Sequence, residues 1–391
     1  MSIAELLSRH KPGHALEREF YCREDVFEGD LDLLLGRWTC VGHQSTVANP
    51  GDYLTADLGL ESAIVVRGDD GVLRAMHNVC RHRGSRICVD AQGHAPRLTC
   101  PYHAWSYHLD GRLRLAREMP EGFDPAAYGL IPLPLRVVGG LILISFSADP
   151  PALDDAAAAV GAMTDHYGWA GAKVATRKAY QVSANWKLVM ENYHECYHCG
   201  PAHPEFSVLH ALARPGARTL NLADSQTAMV RDYEDWQAAL SDNEVARVMR
   251  SALSVDCLTG SRDGKPVAPA MAPHDGACVF AEIGFLSAFL AYADHGVIYR
   301  FIPRGVLDSA MEVIWLVRGD AEDGRDYDVE ALTWLWDVTS QADKRIIERN
   351  QAGVRSRAYV PGPFSKMEPG TRQYVDRYLT ELARKRPAHD L

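Results

Sequence analysis

The chain has 391 residues, 47% hydrophobic and 24% charged, an ordinary globular balance with room for two or so domains. A formal net charge of −10 and a pI near 5.9 give nothing that favours a polyanionic partner, and no nucleic-acid partner is expected. The opening MSIAELLSRHKPGHALEREF lacks the apolar core of a secretion signal, and no apolar run reaches the roughly 18 residues of a membrane span. A cytoplasmic protein without membrane association is therefore expected. The nine cysteines are scattered and odd in number. In a reducing compartment they read as free thiols or metal ligands, not staples.

Residues 1–35 read as helical and mostly solvated. From Trp38 to about Pro150 the chain is β-rich. AIVVR (63–67), the turn DDG and VLRAMHNV (72–79) predict a hairpin. WSYHL, Asp110-Gly111 and RLRL predict another, because Asp-Gly between such runs is a strong turn signal. LILISF (141–146) closes this part. PPALDDAAAA (150–159), Pro-led and Ala-rich, marks a boundary. Beyond it, helices over 186–199 and 328–350 mix with strands such as VIYRFIP and MEVIWLV. No internal repeat or low-complexity segment occurs.

The β-rich part carries Cys80-Arg81-His82 and, after seventeen intervening residues, Cys100-Pro101-Tyr102-His103. Two tight Cys/His pairs at strand tips can converge on one centre. A structural zinc ribbon uses similar residues, but more often as C-x-x-C or H-x-(3–5)-H pairs. C-x-H with C-x-x-H fits a Rieske [2Fe–2S] centre, two thiolates on one iron and two imidazoles on the other.

Residues 185–206, NWKLVMENYHECYHCGPAHPEF, hold three overlapping signatures. His194-Glu195-Cys196-Tyr197-His198 matches the H-E-x-x-H of zinc proteases, but Pro201 and Pro204 occupy the positions of the extended motif's Gly and His. Cys196 and Cys199 form C-x-x-C without a thioredoxin-like βαβ setting, and read as small packing residues. His194 reads as a packing or supporting histidine. His198 and His203, with a carboxylate, suit an iron that keeps open coordination positions. Pro201 between them breaks the helix, so that the second imidazole can turn back toward the first. A third ligand can come from 328–353, where Leu332, Trp336, Thr339, Asp343, Ile347 and Asn350 share a helical stripe. Asp343 sits among apolar neighbours, and a buried carboxylate needs a partner such as a cation. Asp337 falls on the polar stripe and reads as a solvated residue.

NVCRHRG and CPYHAW closely resemble the Rieske non-heme iron oxygenases, and the resemblance covers nearly the whole chain. The ligand helix of that family resembles (D/E)-x-x-H-x-x-x-x-H after an E-N dipeptide, here Glu191-Asn192, Glu195, His198 and His203. The resemblance implies Cys80, His82, Cys100 and His103 as cluster ligands. It implies His198, His203 and Asp343 as ligands of mononuclear Fe(II), with Asn192 hydrogen-bonding near that iron. Glu195 would bridge His103 of one subunit to His198 of its neighbour. Cys88 has no partner in CPYH, so no loop disulfide is expected, as in the oxygenase branch.

KPGHALEREFY, ENYHECYHC and RNQAGVRSRAYVPGPFS resemble the quaternary-ammonium branch, which includes glycine betaine, carnitine and choline monooxygenases and stachydrine demethylase. The implied fold is α+β: an antiparallel β Rieske [2Fe–2S] domain (38–150) and a helix-grip antiparallel-sheet catalytic domain (151–391). An N-terminal helical segment (1–37) would pack on the latter, and the assembly would be a homotrimer. A separate flavin/iron–sulfur reductase fed by NAD(P)H is implied, since the chain has no G-x-G-x-x-G loop. The implied reaction is N-demethylation of a small betaine with O2. Hydroxylation of an aromatic or other small substrate on the same scaffold is the alternative, and a non-catalytic electron carrier is a third. Phe280, Phe285, Phe289, Tyr292 and Tyr299 could offer aromatic faces to a cation, although each also reads as plain core.

Overall fold

The computed structural model describes residues 2–210, 246–254 and 256–384. The expected hairpins form. Glu61–Arg67 pairs antiparallel with Leu73–His77, and Ser106–Tyr107 with Leu113–Leu115. The first of these belongs to a five-stranded sheet. The order is Gln92–His94, Asp52–Leu58, Glu61–Arg67, Leu73–His77 and Pro132–Leu133. A three-stranded sheet of Thr39–His43, Leu141–Ile144 and Leu135–Val138 packs against it around Val41, Val65, Ile142 and Ile144. The second hairpin, with Leu98–Thr99, makes a third small sheet that carries the Cys100 turn.

The C-terminal half is built on one six-stranded antiparallel sheet. Its order is Ala172–Val182, Asp308–Arg318, Gly296–Gly305, Ser287–Ala291, Ala277–Ile283 and Ala246–Ala252. One face packs on the helix Asp154–His166 through Val160 and Met163. The other is covered by the helices Trp186–Tyr193, Val329–Val354 and Pro369–Arg384. The structure is α+β, as expected. No helix among the described residues is long and apolar enough to cross a membrane.

The N-terminal residues are helical, in Ile3–Arg9, Arg18–Cys22 and Glu24–Leu35, but they are not mostly solvated. Val26, Asp30, Leu33 and Leu34 recur at helical spacing and are buried, and Phe20 and Tyr21 join the same core. The acidic residues of EDVFEGDLDLLL other than Asp30 are exposed and hide this stripe from a reading by composition.

The expected helix over 186–199 ends early, at Tyr193. Asn185 caps its start, its side chain accepting from the Lys187 N–H at 3.1 Å. The break between the two histidines also differs from expectation. Pro201 lies in the first turn of the short helix Cys199–Ala202, where a proline is tolerated. The chain turns at His203 itself (φ −145°, ψ 78°), because the following Pro204 excludes helical backbone from the residue before it.

Glu191, on the Trp186–Tyr193 helix, is buried and accepts both its hydrogen bonds, at 2.9 and 3.0 Å, from the Tyr21 hydroxyl. Burial pushes its carboxyl up to about 8, with the Tyr21 bond and the Lys187 charge offsetting only part. A carboxyl raised in the folded state contributes stability that is fully present below its unfolded pKa and is lost as pH rises through the folded value. Wild-type stability should therefore decline across pH 5–8 in a way that Glu191→Gln does not. The variant should gain up to about 4 kcal/mol on the wild type across that window, read from urea midpoints at several pH values.

Candidate active site

Two clusters of metal-ligating side chains lie in the two halves. In the β-rich half, residues Cys80–Gly84 and Cys100–Ala104 form twin turns. The Gly84 N–H donates to the Cys80 carbonyl at 3.0 Å, and the Ala104 N–H to the Cys100 carbonyl at 3.1 Å. The Cys80 and Cys100 N–H groups donate to the carbonyls of Ser85 and Trp105, at 2.9 and 2.8 Å. Closing each turn needs left-handed backbone at its fifth residue. Gly84 takes it at φ 78° and Ala104 at φ 58°.

The twin turns bring their side chains together in a graded way. Cys80 and Cys100 are buried and within hydrogen-bonding reach of each other. His82 and His103 are exposed, with ring centroids 4.7 Å apart. This donor set fits a cluster with a thiolate-held iron inside and an imidazole-held iron at the surface. Trp105 stacks on His82 at 4.9 Å and fixes its ring. The Tyr107 hydroxyl lies 3.3 Å from Cys80 Sγ and accepts from the Arg81 N–H at 3.0 Å. Sequence reasoning passed over Tyr107, although WSYHL places it two residues beyond Trp105 on the strand leaving the second turn. A hydroxyl aimed at a ligand sulfur is a means of tuning a cluster's potential.

In the C-terminal half, His198, His203 and Asp343 converge. His198 Nε2 lies 3.1 Å from His203 Nε2 and 3.2 Å from Asp343 Oδ1, and His203 Nε2 lies 3.1 Å from Asp343 Oδ1. Three atoms about 3 Å from one another are what neighbouring ligands of one metal at roughly 2.1 Å require. The donor types suit a non-heme iron with open positions. Asp343 comes from the long helix, where Leu332, Trp336, Thr339 and Ile347 of its stripe are buried. Asp337 is no solvated residue: it accepts from Lys178 at 2.8 Å and Tyr180 at 2.6 Å.

The ring of His198 is oriented from behind. Its Nδ1 meets Glu195 Oε1 at 2.5 Å, while Glu195 Oε2 accepts from the backbone N–H groups of Tyr197 and His198. Glu195 thus caps the turn and leaves His198 Nε2 facing Asp343. Asn192 Nδ2 lies 3.3 Å from the same Nε2. Burial works against a charge on His198, yet hydrogen bonds to Asp343 and Glu195 lift it to about 9. The same pair of histidines holds Asp343 below its ordinary value against the effect of burial.

A cavity of about 430 Å³ opens onto this triad. Its aromatic walls come from Tyr193, Phe206, Phe280 and Trp336, and Glu282 also lines it. Of the five aromatics singled out from sequence only Phe280 is there. Phe285 packs on Trp186, Phe289 on Trp169, and Tyr292 and Tyr299 lie in the core. Phe206 and Trp336 lie in the segments 185–206 and 328–353, where nothing in their spacing separates wall from core. His210, stacked on Phe206 at 4.1 Å, bonds the Phe206 carbonyl at 3.0 Å and the Tyr292 hydroxyl at 2.8 Å. Burial lowers it to about 4, so it is neutral at physiological pH. His194 sits in the wall, its Nε2 3.1 Å from Glu282 and its ring stacked on Tyr374. His194 and nearby Arg247 and Arg377 overcome burial and keep Glu282 ionised, with its carboxyl down at about 2.

Residues 37–134 match the Rieske [2Fe-2S] domain and residues 170–384 the catalytic domain of the ring hydroxylating alpha subunit. The chain is 36% identical, over 96% of its length and 88% of the relative's, to the glycine betaine monooxygenase oxygenase subunit of Chromohalobacter salexigens. It is 38% identical to the carnitine monooxygenase oxygenase subunit of Acinetobacter baumannii, over 48% of this chain and 52% of the other. Its fold matches a quaternary ammonium Rieske monooxygenase solved in connection with carnitine oxidation and inter-subunit electron transfer. The TM-score is 0.73 at 24% identity, over 97% of each chain.

His203→Ala removes one corner of the triad, 140 residues from Asp343 in sequence and outside both cluster turns. Iron analysis of the variant should show the loss of one iron per chain, with the visible absorbance of the cluster retained.

Proposed function

The chain belongs to the ring-hydroxylating alpha-subunit family with a Rieske [2Fe–2S] domain, an oxidoreductase family, and on that premise we propose that it N-demethylates a small quaternary ammonium acid of the betaine type. Cys80, His82, Cys100 and His103 would hold the cluster, and His198, His203 and Asp343 the mononuclear iron. Bound there, the iron would supply activation of O2. The observation that carries the substrate class is the aromatic wall of Tyr193, Phe206, Phe280 and Trp336 beside the triad. A permanent cation keeps its charge whatever the pH and is held well by ring faces, each worth roughly 0.5–2 kcal/mol. The ionised Glu282 lies in the same wall, its charge offset there by Arg247, which also lines the cavity. Neutral His210 adds none of the opposite sign.

The overall reaction takes O2, two electrons and two protons. One oxygen enters an N-methyl C–H bond and the other leaves as water. The resulting N-hydroxymethyl group breaks at its C–N bond, releasing the tertiary amine, formaldehyde and a proton. A separate flavin/iron–sulfur reductase fed by NAD(P)H would supply the electrons. Soaking purified protein with glycine betaine, carnitine, stachydrine, choline and simple aromatics, in the presence of a reductase, tests the proposal. Formaldehyde stoichiometric with O2 uptake is expected from at least one betaine. Ring or chain hydroxylation with no formaldehyde from any methylated amine would move the protein to the hydroxylase reading.

We further propose that electrons arrive across a subunit boundary of a homotrimer, from His103 of a neighbour through Glu195 to His198. A second cavity, of about 390 Å³, also reaches Glu195 and His198, with the Glu368 carboxylate in its lining. The cluster tip is exposed, with the Arg83 guanidinium beside His82 and His103 at its surface and Arg86 paired with Asp57 at 3.1 Å. This charge complementarity supports docking of one on the other. Glu195→Ala should keep cluster absorbance and iron content, and should lower turnover with the reductase by about a hundredfold, the scale on which partners behind metal ligands act. Normal turnover would remove Glu195 from the route.

A further inference from the structure

Two residues of the ligand turn have no part in that chemistry. Cys196 and Cys199 have Cα atoms 4.8 Å apart, and their sulfurs are joined as a disulfide, contrary to their reading as packing residues. The seven other cysteines form no disulfide. The disulfide ring encloses Tyr197 and His198. Both cysteines line the aromatic-walled cavity, and Cys199 Sγ lies within 4.8 Å of a ring nitrogen of His198 and of His203.

We propose that Cys196 and Cys199 are a reversible dithiol–disulfide pair that reacts with hydrogen peroxide reaching this cavity. The pair rests on the proposed iron site only for the origin of its oxidant. Where O2 meets two electrons and no substrate gives up a hydrogen, peroxide is the two-electron product. These two sulfurs share the cavity in which it would form. Five other thiols, of Cys40, Cys80, Cys88, Cys100 and Cys278, are buried. The half-buried Cys22 and Cys257 are absent from the cavity lining, and burial raises both thiols above their ordinary value, which lowers their thiolate fraction.

The half-buried Cys196 is the attacking sulfur and the buried Cys199 the resolving one. Cys196 Sγ attacks one peroxide oxygen, the O–O bond breaks, and the departing hydroxide takes a proton to become water. Cys196 is then a sulfenic acid. Cys199 Sγ attacks that sulfur, the S–S bond forms, and the sulfenic oxygen leaves as a second water. The two sulfurs lose two electrons together and the peroxide gains them. An external dithiol returns both electrons and restores the thiols. The ring spans the turn that the Glu195 carboxylate caps, so the state of the sulfurs sets how firmly the chain under His198 is held.

The test takes fully reduced holoprotein, freed of reductant under argon, adds one equivalent of hydrogen peroxide and maps thiols by alkylation and peptide mass. The linked 196–199 peptide should appear at least about tenfold faster than thiol is lost at Cys22 or Cys257. In Cys199→Ser, dimedone should label Cys196; in Cys196→Ser it should leave Cys199 unlabelled. Retention of alkylatable thiols at both positions while Cys22 or Cys257 oxidises would overturn the proposal. So would reduction-resistant oxidation of Cys196 without a disulfide. The same mapping on chelator-treated protein, beside an iron count, separates failure of the pair from failure of the iron assignment, because the peroxide is added and the readout is sulfur.

Discussion

Asp30 is the fixed point of the catalytic half. Its carboxylate is fully buried and accepts from the Lys187 ammonium, the Trp186 indole N–H at 3.0 Å and the Tyr378 hydroxyl at 2.6 Å. These partners come from the start of the helix that leads to the metal-ligating turn and from the C-terminal helix. The ion pair has no exposure on either side. Burial raises the Asp30 carboxyl and lowers the Lys187 ammonium, so each charge persists only because of the other and of the hydrogen bonds around them. Removing one partner of such a pair costs about 3–5 kcal/mol. Three segments remote in sequence are thereby held in one arrangement, and Asn192, Glu195 and His198 follow directly from the helix it fixes.

That the two side-chain clusters converge was legible because the chemistry proposed for them needs short, fixed spacings. Two Cys/His pairs on tight turns, and two histidines either side of a chain reversal, leave their mark in a few consecutive residues. Asp343 could be chosen over Asp337 by helical stripe alone. The structure gives Asp337 a lysine and a tyrosine instead of water, which no periodicity encodes. The chain reversal itself was misplaced, since Gly200-Pro201 is a stronger local signal than the plain residue before Pro204. The burial of Glu24–Leu35 was missed because five of its 12 residues are acidic.

The cavity was the least legible part. Its wall is gathered from the ligand helix, the helix Pro204–Leu209, the sheet and the long helix. Each contributes one aromatic ring that looks, in its own segment, like any other core residue. Phe280 lies in the same strand as Glu282, two residues apart and so on one face, and the ring and the carboxylate enter the cavity side by side. That pairing follows from strand geometry once the strand's facing is known, and the facing is set by the helices packed on it.

The left-handed backbone of the two cluster turns is unequal in cost. Gly84 adopts its conformation at no steric cost, whereas a left-handed alanine costs roughly 1–2 kcal/mol. The turn of Cys80 and His82 is therefore the less strained of the two. The turn of Cys100 and His103 is shaped against its own preference and gains from being tied down. Two turns that match in their closing hydrogen bonds thus differ in backbone cost, and exchanging the two fifth residues, Gly84 and Ala104, would move that cost from one turn to the other.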